Sequence, residues 1–199
     1  MTLTPSQNYA RTKSLGKFPK TRKFAESFPF ELDPFQVEAC HALESGKGVL
    51  VAAPTGAGKT IVGEFAVDLV IGSGGKCFYT TPIKALSNQK FAELTEKYGE
   101  SKVGLLTGDT SINSEAQIVI MTTEVLRNMI YANSSTINEL KYVVMDEVHY
   151  LADKFRGAVW EEILIHLSDA VQVISLSATV SNAEEFGEWL QTVRGDTEV

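Results

Sequence analysis

No stretch of this 199-residue sequence approaches the ~20 apolar residues that a bilayer span requires. Its start, MTLTPSQNYARTKSLGK, lacks the apolar segment of a secretory signal, so the cytoplasm is the expected location and no membrane partner is expected. Cysteine is scarce. Cys40 and Cys77 stand apart in apolar surroundings without CxxC spacing, which excludes a disulfide framework and reads as two reduced core residues. Positive charge is also in deficit, with a net charge of −7, which argues against a broadly basic nucleic-acid-binding surface. The deficit is uneven: residues 1–27 hold Arg11, Lys13, Lys17, Lys20, Arg22 and Lys23 against Glu26, giving +5, and the remainder carries −12. Such a head reads as a solvated, flexible terminus, with a short basic arm for nucleic acid or an acidic partner as the alternative. Repeats and low-complexity tracts are missing, and 44% hydrophobic with 22% charged residues is a globular composition. One domain over 28–199, after a basic segment over 1–27, is the expected organisation.

Short apolar runs alternate with amphipathic stretches, the pattern of β/α units around a buried, mostly parallel sheet. Strands are predicted at Gly48–Ala52, Lys76–Thr80, Val103–Leu106, Ile118–Met121, Tyr142–Met145 and Val171–Leu176, each β-branched or aromatic enough to qualify. Asp33 followed by Pro34 marks a helix start that Ser45-Gly46 stops. From Thr60, apolar residues at helical spacing (Ile61, Val62, Phe65, Ala66, Leu69, Val70) give one face for the sheet. Ser181 and Glu184 form a capping-box signature ahead of Phe186, Trp189, Leu190 and Val193, which are core positions.

Directly after the first predicted strand comes Ala53-Pro54-Thr55-Gly56-Ala57-Gly58-Lys59-Thr60, opening a predicted helix. This is a P-loop in the context the motif requires, with Ala53 where the strict pattern has glycine. Its small residues let backbone N–H groups close around phosphates, and the helix N-terminus adds positive potential. Lys59 reaches the β and γ phosphates and the Thr60 hydroxyl holds Mg²⁺. A second element is the apolar strand ending in Asp146-Glu147-Val148-His149. Carboxylates at a strand's C-terminal tip stand where an α/β site is built. Asp146 would hold the same Mg²⁺, and Glu147 would orient or deprotonate the water attacking the γ phosphate.

With these motifs in this order, the sequence from Phe28 onward resembles the superfamily 2 DExH-box helicases, and within them the superkiller and exosome-associated RNA helicase branch. The branch rests on the longer strings TTPIKALSNQK, MTTEVLRNM, DEVHYLADKFRGAVWEE and LSATVSNAEEF. The resemblance implies a RecA-like ATP-binding lobe using ATP and Mg²⁺. It implies that Phe30 packs on adenine and Gln36 hydrogen-bonds its edge. Strand contacts fall by the same resemblance to Thr81, Pro82, Lys84 and Gln89, to Gly108 and Asp109, and to Thr122, Thr123, Glu124 and Arg127. His149, Ser177 and Thr179 would couple the γ-phosphate site to movement between lobes. Hydroxyls, backbone amides and one or two cations suit a sugar-phosphate track that ignores sequence.

A complete helicase of this kind has a second RecA-like lobe bearing an arginine finger, and the residues after Leu176-Ser177-Ala178-Thr179 are too few for one. The expectation is therefore the first lobe of a longer protein, nearly inactive alone, since an arginine finger is worth ~10³ to 10⁵ in rate. Single-stranded RNA and the second lobe are the expected partners. A DNA repair helicase lobe and an ATP-gated nucleic-acid-binding clamp are the alternatives.

Overall fold

The computed structural model describes residues 17–148, 157–178 and 183–199. In chain order they form α1 (Pro19–Ala25), α2 (Pro34–Glu44), β1 (Gly48–Ala52), α3 (Thr60–Ser73), β2 (Lys76–Thr81) and α4 (Lys84–Tyr98). Then come β3 (Val103–Leu106), β4 (Ser111–Ile112), β5 (Ile118–Thr122), α5 (Thr123–Tyr131), a 3-10 turn at Ser135–Glu139 and β6 (Leu140–Met145). The last elements are α6 (Gly157–His166), β7 (Gln172–Ser177), α7 (Ala183–Arg194) and β8 (Thr197–Glu198).

The strands form one eight-stranded sheet in the order β4-β3-β5-β2-β6-β7-β1-β8. Every neighbouring pair is parallel except β3 and β4, which run antiparallel. The central strands are apolar nearly throughout because helices cover both faces and each strand feeds two cores. Val49, Val51, Cys77, Tyr79, Ile118, Ile120 and Val144 pack with α2 and α3 on one face. Leu50, Phe78, Val119, Met121, Val143 and Met145 pack with Leu126 of α5 and Trp160 and Ile163 of α6 on the other. The α/β fold with a mostly parallel sheet is thus as the sequence predicts. The two shortest strands, β4 and β8, are additions: both lie at the sheet's margins, where two residues leave no periodic signal.

One expectation needs correcting. From Lys17 onward, the basic head packs against the domain rather than trailing from it. Glu44 accepts the backbone N–H groups of Lys20 at 2.9 Å and Thr21 at 2.7 Å, and the Thr21 hydroxyl at 2.8 Å. One carboxylate thereby satisfies donors at the start of α1. Phe24, 3% exposed, sits with its ring 5.1 Å from those of Phe28 and Phe65. The cations point outward while Phe24 and Phe18, whose ring stacks 4.0 Å from that of His41, anchor the segment, a combination that charge counting conceals. Among the described residues, no helix is long and apolar enough to cross a membrane.

Candidate functional site

Because seven strands share one direction, their C-terminal tips meet along one edge of the sheet, and that edge collects the motifs. Read across the sheet rather than along the chain, the edge presents the P-loop after β1, Ser177 ending β7, Asp146 after β6, Thr81 ending β2, Thr122 ending β5 and Thr107 after β3. The nucleotide motifs occupy one half and the predicted strand contacts the other. Chain order hides this grouping, since β6 and β7 insert between β1 and β2.

Within the P-loop, Gly56 and Gly58 have φ of +86° and +80°, the left-handed region that glycine enters without strain. Ala57 N–H donates to the Pro54 carbonyl at 3.1 Å, closing the loop. Lys59 is 9% exposed and its ammonium donates to the carbonyls of Ala53 at 2.6 Å and Pro54 at 3.0 Å, so the cation is held over the concave side of its own loop. Gln36 supports the loop from α2. Its Oε1 accepts Asp33 N–H at 2.9 Å and its Nε2 donates to the Gly58 carbonyl at 3.0 Å. A Cβ on Gly58 would lie 2.5 Å from that nitrogen, so only glycine admits the contact. The amide expected to read adenine is therefore already committed on both atoms, though Nε2 keeps a second N–H and Oε1 a second lone pair. Phe30 is 53% exposed with its ring 5.3 Å from that of Phe28, at the outer end of an aromatic series reaching Phe65 of α3.

Asp146 and Glu147 follow the tip of β6, both half-buried. Glu147 has φ +58°, a conformation that costs a non-glycine residue and tends to persist where function holds it. Burial raises the Asp146 carboxyl above the usual carboxylate range, opposed by a 2.8 Å hydrogen bond from the Tyr79 hydroxyl to Oδ2 and one of 2.9 Å from Glu147 N–H to Oδ1. Thr60, Asp146 and Glu147 line one cleft of about 280 Å³ with Glu64, Glu93, Gln89 and Lys90. Among the described residues no group of three or more His, Cys, Asp or Glu could cage a metal. One hydroxyl and one carboxylate fit Mg²⁺, which keeps its waters and takes further ligands from phosphates. Tyr79, Lys90, Glu64 and Glu93 escaped the sequence reading. Tyr79 looked like one more apolar residue of a buried strand, and Lys90 is the last residue of TTPIKALSNQK, whose role was assigned to its earlier members.

The predicted strand contacts divide into two sets. Thr81, Thr122 and Thr123 are buried, at 2%, 7% and 2% exposure. The Thr81 hydroxyl donates to the Ile83 carbonyl at 3.1 Å and shares 2.7 Å with Ser87, and the Thr123 hydroxyl donates to the Thr81 carbonyl at 3.2 Å. The Thr123 bond ties the end of β5 to that of β2, while the Thr81 hydroxyl stays within its own strand-to-helix turn; Pro82 is buried beside them. Lys84, Gln89, Gly108 and Asp109 are exposed, and Glu124 and Arg127 half-exposed. Lys84 pairs with Asp109 at 2.7 Å; that bond, with a second from Thr107, holds the Asp109 carboxyl below its ordinary range. Gln89 donates to Glu93 at 2.9 Å and lines the cleft with Asp146. Arg127 lies 3.8 Å from Glu162 of α6. The Ser177 hydroxyl finds no hydrogen-bond partner among the described residues, while its carbonyl accepts Ala53 N–H at 3.1 Å and ties β7 to the P-loop. His149, Thr179 and Ser181 lie outside the described residues.

Comparisons with known proteins agree with this arrangement. Residues 33–186 match the family model described as DEAD/DEAH box helicase. The chain is 65% identical over 177 residues to the probable helicase HelY of Mycobacterium leprae, covering 89% of this chain and 19% of that protein. It is 46% identical over 172 residues to the human exosome RNA helicase MTR4, covering 86% of this chain and 16% of that one. It thus spans a fifth or less of the length of these relatives. Among solved structures, the Mycobacterium smegmatis helicase Lhr bound to ssDNA and AMP-PNP superposes with a TM-score of 0.71 at 31% identity, over 89% of this chain and 27% of that one. With a matching family model over most of its length, the chain belongs to the DEAD/DEAH box helicases.

Proposed function

We propose that this chain is the ATP-binding first lobe of a longer ATP-dependent helicase that moves along single-stranded RNA. The observation that carries the reading is the shared edge: Thr60 at the end of the P-loop and the Asp-Glu pair line one cleft, and exposed polar groups continue from it along the same strand tips. Mg²⁺ held by Thr60 and Asp146 would neutralise charge on the β and γ phosphates. Lys59 exchanges the Ala53 and Pro54 carbonyls for phosphate oxygens, and the N–H groups of Gly56, Ala57 and Gly58 cradle the phosphates. Phe30 stacks on the base while Gln36 holds the loop and offers its remaining N–H and lone pair to the adenine edge. Glu147 orients the attacking water and takes its proton. Lys84, Gln89, Gly108, Asp109, Glu124 and Arg127 face the sugar-phosphate backbone. Hydrolysis changes the relative affinity of two lobes for the strand, which is the physical basis of stepping.

The 46% identity to an exosome RNA helicase supports RNA. A DNA-directed helicase is the second reading, favoured by the likeness to Lhr bound to ssDNA. ATPase assays of the intact helicase with matched single-stranded RNA and DNA separate them. RNA-selective stimulation, abolished by Glu147→Gln with nucleotide binding retained, is expected. DNA-selective stimulation transfers the reading to repair, and turnover surviving in the Gln variant removes Glu147 from its role.

A further inference from the structure

Tyr79 is fully buried in β2, yet it ends in a polar group. Burying a hydroxyl is unfavourable unless it is paired, and phenylalanine would fill the same space without one. Among the described residues, the hydrogen-bond partner of this hydroxyl is Asp146 Oδ2 at 2.8 Å, across the β2–β6 pairing. Glu147 N–H takes Oδ1 at 2.9 Å, so both oxygens of the carboxylate are held by donors and each keeps a lone pair for a cation. The phenol ring is held in turn. The Lys90 ammonium, on a side chain only 11% exposed, lies 5.6 Å from the ring centroid and pairs with Glu93, which also accepts Gln89 Nε2 at 2.9 Å. Lys90, Gln89 and Glu93 all belong to α4, whose first residue is the exposed Lys84.

We propose that Tyr79 is a positioning residue for the carboxylate of Asp146, and that Lys90 clamps its ring so that α4 and the metal-holding group form one mechanical unit. The inference rests on the reading of the cleft as a Mg·ATP site. It joins the strand-facing helix to the nucleotide by a route distinct from Ser177 on β7: a shift of α4 moves Lys90, Lys90 moves the ring, and the ring reorients Asp146. Partners that orient a metal-holding side chain are worth about ten-fold or more in metal affinity.

The test uses this chain, a fluorescent ATP analogue and Mg²⁺. Nucleotide binding in EDTA is the reference, and Mg²⁺ is then titrated into the complex. Tyr79→Phe keeps the ring under Lys90 and removes one oxygen; it should leave binding in EDTA as in the wild type and weaken apparent Mg²⁺ affinity about ten-fold. Lys90→Met should weaken it by a smaller factor, and Lys90→Arg should restore it. Wild-type Mg²⁺ affinity in Tyr79→Phe overturns the proposal, as does an equal loss of binding in EDTA, which marks a merely structural role. A normal Lys90→Met removes the clamp. Absence of any Mg²⁺ dependence in the wild-type chain defeats the site reading itself, an outcome distinct from a failure confined to the variants.

Discussion

Replacing Gln36 with methionine keeps the side chain's length while deleting both of its hydrogen bonds. Gln36 is 3% exposed, so neither Asp33 N–H at 2.9 Å nor the Gly58 carbonyl at 3.0 Å gains a direct replacement from the variant side chain. Each bond is worth about 1 kcal/mol net, so the loss is about 2 kcal/mol. For a domain of this size that lowers Tm by roughly 4–8 °C. Thermal unfolding followed by circular dichroism measures it. The loss falls on the start of α2 and on the P-loop residue beside Lys59, so the rise in Tm that a bound nucleotide gives should shrink as well. A Tm within about 1 °C of wild type would refute the assignment of Gln36 as a strut of the loop.

Two further outcomes follow from the geometry. Burial raises the Asp146 carboxyl, so folding is favoured where that group is protonated, and this contribution is lost as pH rises through the raised value. Stability to urea in EDTA should therefore fall in the wild type as pH rises through that raised value, and Asp146→Asn should lack this component; an Asn variant with the wild-type pH dependence contradicts the electrostatics. Gly104→Ala would put a Cβ 2.1 Å from the Asn113 carbonyl oxygen, where β4 crosses close to β3. The resulting overpacking should cost about 1–3 kcal/mol and loosen the segment carrying Gly108 and Asp109 while sparing nucleotide affinity, and an unchanged unfolding midpoint would count against the close approach.

The P-loop was legible because its chemistry is local: a strand, a run of small residues and a helix start lie within one short segment, and backbone geometry does the rest. The Asp-Glu pair became legible beside it, and the central strands announced themselves by apolar runs that only a sheet covered on both faces sustains. The head misled because cations outnumber its one deeply buried aromatic, Phe24, and because its order depends on Glu44, more than twenty residues away. The threonines of the strand-end motifs were less legible. A hydroxyl has the same donor and acceptor capacity whether it meets phosphate or a neighbouring carbonyl, and only the pairing of β2 with β5 brings the Thr123 hydroxyl to the Thr81 carbonyl.

By itself, then, the order of residues determined the fold class, the P-loop and the Asp-Glu pair, since each is written in contiguous residues with a fixed backbone consequence. Tertiary structure alone decided which motifs share a cleft, that Gln36 braces Gly58, and that Tyr79 and Lys90 stand behind Asp146. The Gln36–Gly58 and Tyr79–Asp146 bonds join residues 22 and 67 positions apart in a fold whose strand order is not the chain order, so no local pattern could have carried them.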